Sequence, residues 1–250
     1  MLALQDILFS QGFGTRRVCT GLVQQGWVQV GEGRTPCDNP LEGFETAGFV
    51  YWVQGQRWVF QKLAYVLLNK PAGYECSQKP STYPSVYTLL PGPLRERGGG
   101  AAAGVQAVGR LDQDTTGLLL MSDDGKFIHR MTSPKHHVPK VYEAQVKHPL
   151  TADQVQRLLD GVVLDDDPKP VRAQDCVAVS ERHLRLTLTE GKYHQVKRMV
   201  AAVGNRVEGL HRSAIGGLTL GEDLPEGQWR WLSAQEVEAL TLKVPALSKT

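Results

Sequence analysis

Apolar spacing divides the chain into short helices and strands. Leu4, Ile7, Leu8 and Gln11 fit a first helix that Gly12 and Gly14 end. Thr15 opens a second helix with Val18, Leu22 and Val23 on its apolar side, and Gly26 closes it. Trp27-Val28-Gln29-Val30 alternates as a strand, Gly31-Glu32-Gly33 turns it, and residues 44–60 supply more strands around Gly55. Residues 1–60 are therefore expected to form a small N-terminal α/β domain. Beyond it, Tyr65 to Asn69 reads as a strand leading into the turn Lys70-Pro71-Ala72-Gly73, and residues 91–104, rich in Gly and Ala, as a flexible surface loop. Thr151 with Gln154 forms a capping box for a helix through Leu158. Leu184, Leu186 and Leu188 alternate with Arg185, Thr187 and Thr189 as a half-buried strand. His194 to Val203 is predicted helical: Val196, Met199, Val200 and Val203 form its apolar stripe, and His194, Lys197, Arg198 and Ala201 the opposite one. Ser233 with Glu236 caps a last helix. Strands outnumber helices without regular alternation, and no GxGxxG or P-loop pattern occurs, so residues 61–250 are expected to fold as an α+β domain on a mixed sheet with flanking helices.

The whole-chain properties narrow this only a little. The 250 residues can bury a sizeable core, and no apolar run approaches the roughly 18 residues of a membrane span. The start, MLALQDILFSQG, lacks a basic end and carries Asp6, which argues against a signal peptide and for a cytoplasmic protein. Cys19, Cys37, Cys76 and Cys176 form no CxxC pair and are expected to be idle thiols. Net charge is only +2, but its distribution is uneven. Lys126, Arg130, Lys135, Lys140 and Lys147 face Glu143 alone in one segment, and seven Lys and Arg residues face two glutamates between residues 182 and 212. Two such segments suggest a face for a polyanion. Arg16 and Arg17, in the first turn of a helix, oppose its dipole, which suits contact with a phosphate. Asp165 to Asp167 reads as a solvated acidic loop.

The chemistry concentrates in GRLDQDTTGLLL, residues 109–120. Arg110 and Asp112 stand two apart before an apolar strand, and a carboxylate that close to a guanidinium stays ionised and oriented, ready to act as nucleophile or base. A structural alternative is open: Asp112 can be a turn residue bonded to backbone amides, and Asp114 is read as a structural cap. His129, His136 and His137 match no common zinc spacing, so RNA-backbone contacts or helix caps are expected there and no metal site.

Two resemblances give these parts roles. Helix, FGTRR, helix, GWVQV and turn are similar to the alpha-L RNA-binding motif of ribosomal proteins and tRNA synthetases, although Leu2-Ala3-Leu4-Gln5 replaces the usual basic start. From about Leu63 to Leu232, KPAG, GRLD, KVY and EGKYHQVKRM, in that order, resemble the pseudouridine synthases. TSPKHHVPKVY and EGKYHQVKRMVAAVGN place the chain nearest the type A branch acting on small-subunit ribosomal RNA. The resemblance implies conversion of a uridine to pseudouridine, in 16S ribosomal RNA or a pre-ribosomal particle, without a cofactor, by a monomer. Targets in 23S ribosomal RNA or tRNA, and a non-catalytic assembly factor, are the alternatives. It assigns Asp112 as the essential aspartate, Lys197 as its basic partner, Tyr142 as the tyrosine stacked on uracil, and Arg110 as the wedge that replaces a flipped nucleotide. Under that assignment Arg110 is no longer the partner of Asp112. Arg16, Arg17, Lys70, Arg130, His136, His137, Lys140, His194 and Arg198 are the expected RNA contacts.

Overall fold

The computed structural model describes residues 1–98, 104–165 and 167–241. Asp166 of the acidic run, and residues 99–103 of the Gly-Ala stretch, lie outside them. No helix among the described residues is long and apolar enough to cross a membrane.

One compact unit comprises Met1–Ala64, Leu90–Gln106 and Ser122–Asp124. Its helices are α1 (Leu4–Ser10) and α2 (Arg16–Gln24), and the Thr15 hydroxyl caps α2 by accepting from the Val18 N–H. Strands β1 (Val28–Val30), β2 (Thr35–Pro36), β3 (Val50–Val53) and β4 (Gln56–Val59) pair in the order β2-β1-β3-β4. Gln54 and Gly55 both have positive φ at the β3–β4 hairpin, the backbone that a two-residue hairpin turn needs. Part of the stretch read as a surface loop belongs to the core of this unit. Gly92–Glu96 is helix α3 with Leu94 buried, because Leu94 has apolar surface to hide. Beside it the buried Arg97 guanidinium donates to Asp123, Gln11 and the Gln61 carbonyl. Gly12 is indispensable here, since a Cβ would come 2.1 Å from the Pro93 carbonyl oxygen.

The second unit comprises Tyr65–Leu89, Ala107–Met121 and Gly125–Thr250. Its strands are β5 (Tyr65–Lys70), β6 (Thr116–Ser122), β7 (Lys140–Val146), β8 (Val162–Leu164), β9 (Asp167–Val171), β10 (Asp175–Ser180), β11 (His183–Leu188), β12 (Val207–Ile215), β13 (Leu218–Thr219) and β14 (Trp229–Trp231). The main sheet runs β10-β11-β7-β12-β6-β5-β14, with β13 added to β12 and β8 paired with β9 apart from it. β6 and β12 are parallel, whereas β7 is antiparallel to both β11 and β12. This mixed, largely antiparallel sheet is the expected α+β class.

Side-chain alternation decides where helices pack. Ala144 and Val146 of β7 and Leu184, Leu186 and Leu188 of β11 bury against α5 (Ala152–Asp160) and α6 (Gln195–Ala202). Tyr142 shares their parity and packs against the same cluster. Leu118 and Leu120 of β6 bury instead with Phe127 and Met131 of α4 (Gly125–Thr132) and Leu240 of α7 (Ala234–Thr241). The capping boxes at Thr151/Gln154 and Ser233/Glu236 form as the sequence predicts. α6 starts one residue later than expected, because His194 is left-handed at φ 47° and so stands outside the helix.

Candidate active site

The site lies within the second unit and is built on the turn before β6. Thr115 donates its N–H to the Asp112 carbonyl across the turn, Gly73 donates to Gln113, and the Leu111 N–H points at the Cys76 sulfur. Lys70 locks the arrangement. Its side chain is 0% exposed, and its ammonium donates to the carbonyls of Pro71 (3.0 Å), Gln113 (3.2 Å) and Thr115 (2.8 Å). Three donors meet three acceptors, so none is left for a ligand. Burial pushes this ammonium below its usual range, against the opposing pull of Cys76, Asp114 and Asp112. The expectation that Lys70 contacts RNA is therefore corrected: it positions the Asp112 turn from beneath.

Gly117 fixes where that turn meets the sheet. It pairs with Arg212 across β6 and β12, where a Cβ would lie 2.4 Å from the Arg212 carbonyl oxygen at φ 101°, so no other residue fits. Arg212 is 2% exposed, donates from Nε to the Leu118 carbonyl at 2.8 Å, and leaves Nη2 buried without a partner among the described residues. It is paired with Tyr142 across β7 and β12, its guanidinium 6.0 Å from the ring centroid. Sequence reasoning missed Arg212, counting it only as one of several basic residues. A glycine inside an apolar strand was the available signal of a close approach at this point.

α6 and the residue just before it supply the groups that face Asp112. Lys197 Nζ is 3.1 Å from Asp112 Oδ2, and 2.7 and 2.9 Å from the two oxygens of Asp114. His194 Nε2 is 3.4 Å from Asp112 Oδ1, and its ring stacks on the exposed Tyr193 at 3.8 Å. Burial pushes Lys197 down, but its bonds to Asp114 and Asp112 outweigh this and raise the ammonium above its usual range. Burial likewise pushes Asp114 up, and Lys197 more than reverses it.

The remaining expected contacts separate into two kinds. Arg110, Arg130, His136 and His137 are exposed, as is Arg17 in the first unit. Arg16 is engaged locally: it bonds Asp6 and lies 4.5 Å from the Phe9 ring centroid, which relieves the opposed helix dipole. Arg198 donates to the Tyr193 carbonyl at 3.2 Å. Lys140 is half-buried, donates to the Val138 carbonyl at 3.1 Å, and is pushed down to about 8 by burial and by the charge of Arg212. His129 and His136 approach edge to face at 6.3 Å, and among the described residues no group of three His, Cys, Asp or Glu is clustered as metal ligands.

A carboxylate held by an ammonium, on the turn before a strand that pairs with the one bearing the buried Arg212, is equipment for nucleophilic or general-base chemistry with anion stabilisation. Comparison with known proteins agrees with this class. Residues 64–202 match the family model described as RNA pseudouridylate synthase. The chain is similar to proteins named ribosomal small subunit pseudouridine synthase A from Yersinia pestis (45% identical, 70% of this chain and 72% of the relative) and Escherichia coli K12 (43%, 70% and 73%). It is also similar to a crystal structure of a pseudouridylate synthase, with TM-score 0.66 and 33% identity over 96% of this chain and all of that one. The chain belongs to the RNA pseudouridylate synthase family and is an isomerase acting on RNA.

Proposed function

We propose that the protein isomerises one uridine of small-subunit ribosomal RNA, with Asp112 as nucleophile or base, Lys197 as its cationic partner and Tyr142 against the uracil. The observation that carries this reading is the Asp112–Lys197 pair, 3.1 Å apart on a turn that Lys70 holds from below. Relatives at 43–45% identity, named for the small subunit, support the choice of RNA.

The reaction breaks C1′–N1, turns the base and joins C1′ to C5. The glycosidic electron pair leaves on N1, so uracil departs as an anion. Asp112 balances this by bonding C1′ or by taking the C2′ proton, and loses its charge either way. C5 then attacks C1′, either displacing Asp112 from that carbon or as Asp112 returns the proton to C2′, and the proton that C5 loses is balanced by one gained at N1, so Asp112 ends as it began. Lys197 stays close to both anions and stabilises the one that forms. Arg110, exposed beside the turn, wedges into the stack that the target nucleotide leaves. Residues 1–60 add RNA affinity through Arg17 and the neighbouring loops.

The test is to incubate the protein with small-subunit ribosomal RNA transcript, with and without bound ribosomal proteins, and map pseudouridine by carbodiimide labelling. One modified uridine is expected, and Asp112→Asn should lower its rate by about a thousandfold or more with RNA binding retained. Normal turnover by Asp112→Asn overturns the catalytic assignment. Modification confined to large-subunit RNA or tRNA overturns the target.

A further inference from the structure

Lys197 does not belong to Asp112 alone. Asp114 holds it with both oxygens, at 2.7 and 2.9 Å, closer than the 3.1 Å contact to Asp112. Asp114 is also the more open of the two, its side chain 54% exposed against 27%. An ion pair that accessible adds little to folding stability. Its geometry therefore points to the reaction and not to the fold. We propose that Asp114 is a positioning residue, a second counterion that keeps Lys197 in place while the charge on Asp112 comes and goes. This inference rests on the catalytic assignment of Asp112.

The argument follows the charge. Before reaction, two carboxylates share one ammonium, so neither is fully neutralised and Asp112 retains its electron-pair or proton affinity. As C1′–N1 breaks, the negative charge passes from Asp112 to the uracil anion. An ammonium paired with Asp112 only would then have lost its tether while its new partner is a base that must rotate. Asp114 takes no part in that transfer and keeps its charge throughout. It therefore holds Lys197 against drift, yet leaves one face of the ammonium toward the reacting groups. The buried Lys70 fixes the spacing of the two carboxylates by bonding the carbonyls of Gln113 and Thr115, on either side of Asp114.

Single-turnover kinetics on the RNA transcript test the idea. Asp114→Asn should lower kcat roughly tenfold or more and change KM by less than about twofold, because the interaction matters after binding. Asp114→Glu, which keeps the charge, should recover most of the rate. In a Lys197→Met background, Asp114→Asn should have almost no further effect, since the group it holds is gone. A merely structural Asp114 would give the same loss in both backgrounds and no rescue by Glu, and a direct RNA contact would raise KM. Either result, or wild-type kcat in Asp114→Asn, overturns the proposal. If Asp114→Asn folds poorly by circular dichroism, Asp114→Ser gives the same comparison. Activity in Asp112→Asn would instead defeat the underlying catalytic reading, so the two failures are distinguishable.

Discussion

Two sets of basic side chains in the second unit look alike in sequence and behave oppositely in space. Lys70, Lys140, Lys197 and Arg212 are buried or half-buried on and beside the central strands, and each donates to a named carbonyl or carboxylate. Arg130, Lys135, His136 and His137 are exposed around the end of α4. The difference lies in desolvation. A cation removed from water must satisfy its donors locally, so it becomes part of the construction of the site. A solvated cation keeps its donors for water and exerts only a screened field, which suits attraction of a polyanion. Charge counts along the chain do not distinguish these roles; burial does.

The comparison breaks most readily at Lys70. Lys70→Met leaves the Gln113 and Thr115 carbonyls without their buried donor, at a cost of about 1–3 kcal/mol each, partly offset because a costly buried ammonium also disappears. Denaturant unfolding should show a net loss of a few kcal/mol, and kcat should fall roughly tenfold or more as the Asp112 turn loosens. RNA affinity should stay within about twofold. A weakened affinity with normal kcat would place Lys70 among the RNA contacts after all.

Lys140 stands between the two sets, and pH can show which it joins. Its ammonium, lowered to about 8 by burial and by Arg212, is charged below that pH and neutral above it. RNA affinity should therefore weaken severalfold as pH rises from 7 to 9, and Lys140→Met should abolish that dependence. Stability should move the other way. Between about 8 and the ordinary value of 10.5 the unfolded chain binds the proton that the folded chain has lost, so the unfolding free energy rises with pH across this window. An affinity flat from pH 7 to 9 would class Lys140 as purely structural.

Much of this architecture was legible from sequence because its signals are local. The capping boxes at Thr151 and Ser233 depend on residues three apart, and the Leu184 strand and the α6 stripe depend on periodicity. Asp112 and Lys197 were legible through motifs, although their 3.1 Å contact joins distant segments. The burial of Arg212 and of Lys70 was not, for a common reason. Arg212 is placed by the β7–β12–β6 register, and Lys70 is held by carbonyls that only the folded turn presents. Helix α3 was hidden because Leu94 sits in a Gly- and Pro-rich stretch whose composition suggests a loop. Asp114 was read as a structural cap because nothing local reveals that Lys197 reaches it.

The smallest expected effect, and the sharpest on specificity of role, lies at the surface set. Arg130 and Lys135 are exposed and make no ion pair among the described residues. Arg130→Ala combined with Lys135→Ala should leave stability within about 0.5 kcal/mol and kcat at saturating RNA unchanged. What should change is the salt dependence of RNA affinity. Each phosphate contact contributes close to one unit of the log–log slope, so the double variant should flatten that slope by about one to two. Titrations of RNA binding at several salt concentrations measure this directly. An unchanged slope would show that the α4 surface meets no phosphate, and would confine the polyanion face to α6 and the first unit. A fall in kcat at saturation would do more damage, because it would mean that solvated cations also shape the reaction, and that burial alone does not separate the two sets.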